Sequence, residues 1–205
     1  NPSQVPDGEF LNLIPDWKQI NPATTSYGGK TGTFYFRKSK DAVFATCLAN
    51  RGCRAQCTFC SVRNFNGVGV RRREVDSVMD EIKNLVEVYG VKHITWLDDD
   101  FLYNRKKSLE LFQRLKDANY DLTWDLSNGV IAAALDEEIV TAMAESGCIG
   151  LFIGMESGNK EILRSIKKPG TVKNFLNASS ILKNFPQIDA RGFLIIGFPG
   201  ETFAQ

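Results

Sequence analysis

From about residue 42 to its end, the 205-residue chain alternates short β-rich runs with longer runs of helical periodicity. The β-rich runs cover residues 42–49, 91–97, 122–126, 149–155 and 188–196. Strict alternation of strands and helices is typical of a parallel sheet whose crossover helices pack outside it, with right-handed connections. The sequence therefore predicts an α/β fold of the barrel-like kind.

A polar cluster follows each of these predicted strands. In chain order the clusters are the cysteine loop (residues 51–60), the aspartates 98–100, Ser127 with Asn128, Glu156 with Ser157, and the turn 197–201. In barrels of parallel strands the active site is built by the loops at the carboxyl ends of the strands. We therefore expect the five clusters to contribute to one shared site.

The cysteine loop carries three of the five cysteines, Cys53, Cys57 and Cys60, at the spacing CxxxCxxC. Thiolates are soft ligands that suit iron-sulfur clusters and zinc. A four-iron cluster with four cysteine ligands is closed, as in ferredoxins. Three cysteines leave one iron without a protein ligand, and that iron is free to bind a small molecule. The motif thus indicates chemistry at an open iron.

With Phe59 directly before the last cysteine, this motif resembles that of the radical S-adenosylmethionine superfamily. The resemblance implies a [4Fe-4S] cluster held by Cys53, Cys57 and Cys60, with S-adenosylmethionine bound to the open iron. It also implies reductive cleavage of that ligand to methionine and a 5'-deoxyadenosyl radical. The complete family domain has six βα units, so five predicted strands imply a partial (β/α)6-type TIM-like barrel with parallel strands, truncated at its C-terminal side.

The same resemblance implies roles for the polar clusters in binding S-adenosylmethionine. Asp98 and Asp99 stand where the family binds the ammonium group, usually through Gly-Gly-Glu, and Asp99 is the preferred candidate. An aspartate run can instead cap the following helix. Glu156, with Ser157 after it, matches a position that contacts the ribose or the methionine moiety, and an unpaired buried carboxylate would be costly without such a role.

Three further elements resemble binding segments of the family. Phe59 borders the cluster, Ser127 and Asn128 hold the comparable place after the third strand, and Ile195 and Gly197 belong to the segment that faces the adenine. A simple turn also explains the Ser-Asn pair. Arg164 resembles an arginine that approaches the ligand carboxylate in some relatives, and a solvated helix face explains it equally well.

The segment LIPDWKQI at residues 13–20 resembles the linker that joins a cobalamin-binding domain to the radical domain in one large branch. The resemblance implies cobalamin, held by a domain outside this chain, and a methyl transfer or ring-forming reaction on a small-molecule substrate. It also implies an electron donor such as flavodoxin or ferredoxin. A methylthiotransferase-like enzyme is the alternative reaction. A non-catalytic, zinc-stabilised binding module with Cys47 or His93 as fourth ligand is the alternative class.

Composition and charge restrict partners and location. The formal net charge of +1 gives no electrostatic case for nucleic acid as a main partner. No apolar run approaches the roughly 20 residues of a membrane span and no signal peptide opens the chain, so we expect a cytoplasmic, reducing location, which an oxygen-sensitive cluster would also need. We expect residues 1–40 to form a lead-in and residues 41–205 an incomplete core domain, in a chain that is a fragment of a longer protein.

Three smaller expectations concern local structure. Residues 28–32 (GGKTG) are predicted to form a turn and not a phosphate loop, because Thr24 stands where that motif needs glycine. Residues 33–37 are predicted to form a short strand. The arginines 71–73 precede a helix, where cations oppose the helix dipole. We expect them to be solvated loop charges, and the alternative is that an anion or a partner holds them.

Overall fold

A computed structural model describes residues 8–26, 33–34 and 42–204 of the chain. In these residues one parallel sheet has the strand order β1-β4-β5-β6-β7, and a small antiparallel pair is formed by β2 and β3. The strands are β1 (Val43–Cys47), β2 (Asn50–Arg51), β3 (Arg71–Arg72), β4 (Val91–Trp96), β5 (Thr123–Val130), β6 (Cys148–Glu156) and β7 (Asp189–Leu194).

Helices α3 to α7 connect successive strands of the large sheet, whereas α1 precedes β1 and α2 lies between β2 and β3. The helices are α1 (Pro22–Thr25), α2 (Val62–Asn66), α3 (Val75–Tyr89), α4 (Arg105–Ala118), α5 (Glu137–Glu145), α6 (Lys160–Ser165) and α7 (Val172–Leu182), with 3-10 turns at Gly8–Asn12 and Ala132–Ala134. Contacts run from α3 to α4, from α4 to α5 and from α5 to α7. These four helices therefore form one continuous layer against the sheet.

Side-chain hydrogen bonds define where the helices begin. The Asp136 carboxylate accepts the Ile139 N–H at 2.9 Å, so Asp136 caps the start of α5. Thr171 and Asn174 form a capping box at the start of α7, so the helix resumes immediately after the Pro-Gly interruption. At the C-terminal end of α3, Gly90 adopts a left-handed conformation, and its N–H donates to the carbonyls of Leu85 and Val86.

The strands of the sheet are nearly in register. Thr46 of β1 lies opposite Thr95 of β4, Thr95 lies opposite Asp125 of β5, and Asp125 lies opposite Gly150 of β6. Because all the pairings are parallel, the carboxyl ends of the strands meet at the same edge. The loops after these strands are thereby brought close together.

An aromatic cluster fixes the two central strands against the helix layer. Phe112 of α4 stacks on Trp124 at a centroid distance of 5.3 Å and on Phe101 at 5.8 Å. Trp96 packs on Phe101 at 5.0 Å, and all four rings are at most 1% exposed. Large, fully buried aromatic rings contribute strongly to core stability. This cluster holds β4 and β5 directly below the loops that carry Asp98–Asp100 and Asn128.

The structure confirms the predicted α/β fold and five parallel strands. The sheet is not closed in the described residues, in agreement with a partial barrel. One boundary prediction is wrong: β5 continues through Ser127 and Asn128 to Val130, with an irregularity in its pairing to β6 between Leu126 and Val130. The Ser-Asn pair therefore lies within an irregular strand and not in a turn after it.

The three arginines before α3 are structural, contrary to the expectation of solvated charges. Arg71 donates to the Asn66 carbonyl, and Arg72 donates to the Phe101 carbonyl at 3.2 Å. Arg73 is 7% exposed and pairs with the buried Glu81 of α3. Each guanidinium thus joins the start of α3 to a neighbouring segment.

Two local predictions fall on residues with little or no structural description. The turn at residues 28–32 and residues 35–37 of the expected strand lie outside the described part of the chain, while residues 33–34 form a turn. No helix within 8–26, 33–34 and 42–204 combines the length and the apolarity needed to cross a membrane. The division at residue 40 stays a prediction.

Candidate functional site

The cysteine loop leaves β2 and leads into α2 at the carboxyl edge of the sheet. The Cys60 N–H donates to the Cys57 carbonyl at 3.1 Å, and the Thr58 N–H donates to the Ile166 carbonyl at 3.0 Å. The first bond closes a turn within the loop, and the second attaches the far half of the loop to the end of α6. Cys53 and Cys57 are half-buried, Cys60 is exposed, and all three thiols are free.

A cavity of about 380 Å³ lies beside this loop. Seven of the residues that the sequence assigns to the site line it: Cys53, Cys57, Phe59, Cys60, Asp99, Asn128 and Glu156. They come from the loops or ends of β1, β4, β5 and β6, as expected for a site at the carboxyl edge of a parallel sheet. The cavity is within the size range of small-molecule sites.

Burial makes two thiols of the loop, those of Cys53 and Cys57, weaker acids by raising their pKa. Burial raises the pKa of Cys53 to about 11, partly opposed by the Ala55 N–H that donates to its sulfur at 3.4 Å. Burial also raises the pKa of Cys57, and the nearby Lys168 charge acts in the opposite direction. The metal-binding form is the thiolate, so metal binding at this loop must displace protons.

Asp99 lines the cavity, whereas Asp98 lies behind the loop. Asp98 is 1% exposed, and its two oxygens accept the Ala49 N–H at 3.0 Å and the Asn50 N–H at 2.7 Å. Burial raises its pKa to about 7, and these two N–H donors oppose that shift. This placement differs from the cofactor contact expected for Asp98, because its oxygens already hold the backbone before the cysteines.

Glu156, at the end of β6, forms a buried ion pair at the cavity. Lys168 Nζ lies 2.8 Å from Glu156 Oε1, and the two side chains are 10% and 8% exposed. Glu156 has φ +63°, an uncommon conformation for a residue with a side chain. Lys168 was not assigned to the site from the sequence, because its Lys-Pro-Gly context indicates only a helix interruption.

The segment after β7 closes the side of the site without lining the cavity. The Ile195 N–H donates to the Glu156 carbonyl at 2.9 Å, and the Phe198 N–H donates to Glu201 at 3.0 Å. The Phe198 ring packs on Phe59 at 5.8 Å. Ile195 thus contacts the site through its backbone, whereas the Gly197 N–H donates to Glu201 and Gly197 does not line the cavity. Ser157 is buried, and its hydroxyl accepts the Asn159 N–H before α6.

Ser127 and His93 belong to a polar network on the inner face of the sheet. His93 Nε2 lies 2.8 Å from Asp125, and Thr95 and Ser127 donate to the same carboxylate. Cys47 is buried in β1, where burial raises its pKa well above the ordinary value. Neither Cys47 nor His93 lines the cavity, so neither stands ready as a fourth ligand for the cysteine loop.

The donor set of the loop fits an iron-sulfur cluster. Three free thiols border one cavity, and space for a second ligand lies beside them. Within the described residues, no three histidine, cysteine or carboxylate side chains are grouped as ligands of a single metal ion. Arg164 is exposed on α6, and the cations that line the cavity are Arg63 and Lys168 instead.

Comparisons with known proteins agree on one family. The family model described as the Radical SAM superfamily matches residues 48–205. A protein of Pyrococcus horikoshii named as an uncharacterized methyltransferase is 34% identical over 165 residues, which are 80% of this chain and 35% of that protein. Cytidylyl-2-hydroxyethylphosphonate methyltransferase of Streptomyces wedmorensis is 35% identical over 153 residues, or 73% of this chain and 28% of that protein.

A methylthiotransferase and solved structures extend the likeness. The ribosomal protein uS12 methylthiotransferase RimO of a Thermotoga species is 31% identical over 162 residues, or 74% of this chain and 36% of that protein. The structure of the radical S-adenosylmethionine methyltransferase TsrM from Kitasatospora setae has a TM-score of 0.69 at 21% identity, covering 82% of this chain and 31% of that one.

This chain spans about a third of the length of these relatives. The structural likeness at 21% identity shows a common fold. The family model, in contrast, covers most of the sequence, including all three cysteines of the loop and every strand end that lines the cavity. The chain therefore belongs to the radical S-adenosylmethionine superfamily.

Proposed function

We propose that Cys53, Cys57 and Cys60 hold a [4Fe-4S] cluster and that the adjoining cavity binds S-adenosylmethionine. The observation that carries this proposal is the common cavity, which is lined by all three motif cysteines and by the Glu156–Lys168 ion pair. When reduced, the cluster supplies the electron that splits the sulfonium into methionine and a 5'-deoxyadenosyl radical. The protein supplies position and excludes water.

The charged residues of the cavity suit the amino-acid end of this ligand. An ammonium group needs acceptors, which Glu156 and Asp99 provide, and a carboxylate needs a cation, which Lys168 provides. Lys168 and Glu156 pair with each other in the structure. A zwitterionic ligand offers its ammonium group to Glu156 and its carboxylate to Lys168. It can therefore replace their ion pair without leaving either charge buried and unpaired.

The remaining assigned residues suit the nucleoside end. Asn128 lines the cavity from β5, and its Nδ2 donates to the Leu97 carbonyl at 2.8 Å, which fixes the side chain. Phe59 offers an aromatic surface on the other side. We assign the ribose to the region of Asn128, Ser127 and Ser157, and the adenine to the backbone edge at Ile195 and Gly197.

For the whole protein we propose a methyl transfer linked to cobalamin that a separate domain binds. Two relatives with the higher identities are named methyltransferases, and the fold is that of TsrM, whose structure contains cobalamin and a [4Fe-4S] cluster. The substrate is then a small molecule. The electron donor is a flavodoxin or ferredoxin, and the compartment is a reducing cytoplasm, which the free cysteines suit.

The methylthiotransferase RimO supports a second candidate reaction, transfer of a methylthio group. The two reactions differ in what the protein binds besides the cluster at Cys53, Cys57 and Cys60. A cobalamin-linked methyl transfer requires bound cobalamin, and the whole protein, purified with the separate domain proposed to bind cobalamin and mixed with hydroxocobalamin, should retain it on gel filtration. Failure to retain cobalamin would favour the second reaction.

Substitution of single cysteines tests the proposed ligands. We expect Cys53→Ala, Cys57→Ala and Cys60→Ala each to reduce formation of 5'-deoxyadenosine from S-adenosylmethionine to the background of a protein-free control, because two thiolates hold a cluster poorly. The assay uses anaerobically reconstituted protein, dithionite and chromatography of the products. Cys148→Ala is the matched control, since Cys148 is buried in β6 away from the cavity. Continued cleavage in any of the three variants would contradict the assignment.

A further inference from the structure

Three consecutive carboxylates contact the chain around the cysteine loop at successive points. Asp98 accepts the Ala49 and Asn50 N–H groups at 3.0 and 2.7 Å. Asp99 accepts the Gly52 N–H at 3.3 Å and the Asn66 side-chain amide at 2.7 Å. The later aspartate bonds backbone N–H groups that come later in the chain around the cysteine loop. The run therefore lies alongside the loop as a set of anchors.

Asp100 completes the run through Arg54, the residue after the first motif cysteine. Its carboxylate accepts the Arg54 backbone N–H at 3.3 Å, Nε at 2.8 Å and one terminal nitrogen at 3.1 Å. The Arg54 guanidinium also lies over the Tyr103 ring, 5.4 Å from its centroid. Asp100 is 2% exposed, so the guanidinium is fixed from a buried side.

These contacts provide hydrogen-bond acceptors for backbone N–H groups in an irregular segment. Backbone N–H groups buried outside helices and sheets need acceptors, and an unpaired one costs a free energy comparable to a lost hydrogen bond. Carboxylates are the strong acceptors for them. In this loop the carboxylates of residues 98–100 take the N–H groups of residues 49, 50, 52 and 54. The backbone before Cys57 is thus hydrogen-bonded to the carboxylates that follow β4.

We propose that the aspartate run positions the cysteine loop in its metal-binding shape before the cluster arrives, with Asp100 and Arg54 as the positioning pair beside Cys53. Neither residue lines the cavity, so both act through the placement of Cys53 and not by touching the ligand. This inference rests on the proposed function only for the identity of the metal group.

Hydrogen exchange of the metal-free protein tests the positioning directly. We expect Asp100→Asn and Arg54→Gln to speed exchange in the peptide that contains residues 49–54 by about tenfold or more, as loss of charge-assisted hydrogen bonds should. Arg54→Lys should behave like Arg54→Gln, because one ammonium cannot make the forked contact to both oxygens. Asp121→Asn is the matched control, since this exposed carboxylate pairs with Lys92 at 3.1 Å, at the start of β4.

A second measurement connects the loop to the metal. After anaerobic reconstitution, the Asp100 and Arg54 variants should lose iron about tenfold faster than wild type in the presence of a chelator, with melting temperatures close to wild type. The combined variant should be no worse than either single one, because both remove the same contact. Exchange and iron retention equal to wild type in both Asp100→Asn and Arg54→Gln would overturn the proposal.

The outcomes separate this inference from the proposed function. Wild-type protein that takes up no iron would contradict the proposed function, and exchange at residues 49–54 would still decide whether Asp100 positions the loop. Wild-type protein that takes up iron, with unchanged exchange in the variants, would contradict the positioning role alone. Because Arg54 is 39% exposed, its replacement leaves the core intact and keeps the test available if Asp100→Asn fails to fold.

Discussion

Glu156 is the residue on which the cavity's charge depends most. It combines a left-handed backbone, a side chain only 8% exposed and an ion pair with Lys168. A conformation of this kind costs about 1–3 kcal/mol in a residue other than glycine and persists where the surroundings hold it. Here the Ile195 N–H fixes the Glu156 carbonyl on one side and Lys168 fixes the carboxylate on the other. The strain is therefore located at the ligand site.

Gly154→Ala tests this ion pair. A β-carbon at Gly154 would stand 2.5 Å from Lys168 Nζ and 3.0 Å from Glu156 Oε1, so the pair must move. We expect S-adenosylmethionine to bind about tenfold more weakly, which equals about 1.4 kcal/mol. Fold stability should fall by less than about 1 kcal/mol, since the displaced Lys168 end is flexible. Equilibrium dialysis of reconstituted protein measures the affinity.

Gly192→Ala is the matched control for this change. Gly192 lies on the neighbouring strand β7, and a β-carbon there would meet nothing within 4 Å. Its affinity for S-adenosylmethionine should equal that of wild type. Equal affinity in Gly154→Ala as well would show that the Glu156–Lys168 pair does not contact the ligand.

Single residues were predictable where their chemistry was local. The spacing of Cys53, Cys57 and Cys60, and a glutamate at the end of a buried strand, indicate a site without knowledge of the fold. Lys168 was missed because its part in the site depends on a long-range contact across 12 residues, from beyond α6 back to β6. Of the two adjacent aspartates, Asp99, the preferred candidate, lines the cavity, whereas Asp98 bonds the backbone behind the loop through contacts that arise only on folding.

The cysteine loop is an element whose path depends on one close backbone approach. Gly52 has φ +87°, and a β-carbon there would collide with the carbonyl oxygen of Gly69 in the segment that leads to β3. The β2–β3 pairing, with Asn50 opposite Arg72, brings these two segments together. A side chain at Gly52 would therefore push apart the two segments that frame the loop.

Gly52→Ala should destabilise the loop and prevent cluster binding. We expect a loss of about 3 kcal/mol in the free energy of unfolding, from the positive φ and the collision together. Gly69→Ala is the control, because Gly69 has φ +83° but open space around a β-carbon, so it carries only the conformational cost of about 1–2 kcal/mol. Urea unfolding and iron content measure the two effects. Equal losses in both variants would argue against the close approach.

Sequence periodicity predicted the helices and strands, but it did not predict where they begin and end. Strands buried by helices and helices with apolar stripes such as Ile82 and Leu85 are recognisable from pattern alone. The extension of β5 to Val130 was not, because its last residues pair irregularly with β6. The arginines before α3 were misjudged since their partners, such as Glu81 for Arg73, become neighbours only on folding.

At the scale of the molecule, the parallel sheet brings distant loops to one edge. Cys53, Asp99, Asn128 and Glu156 come from four different strand ends and line the same cavity. That convergence follows from parallel pairing alone, which is why the sequence could predict one shared site. The substrate could not be predicted, because the chain spans about a third of its relatives' length.

The proposed function requires a four-iron cluster at the cysteine loop with one iron open to S-adenosylmethionine. Electron paramagnetic resonance of the anaerobically reconstituted and reduced protein, with and without S-adenosylmethionine, tests this requirement. We predict a signal of a reduced [4Fe-4S] cluster whose g values change when the ligand is added, because the ligand binds the iron that Cys53, Cys57 and Cys60 leave free. A protein that is silent and carries one zinc ion, or a signal that the ligand leaves unchanged, would contradict the account.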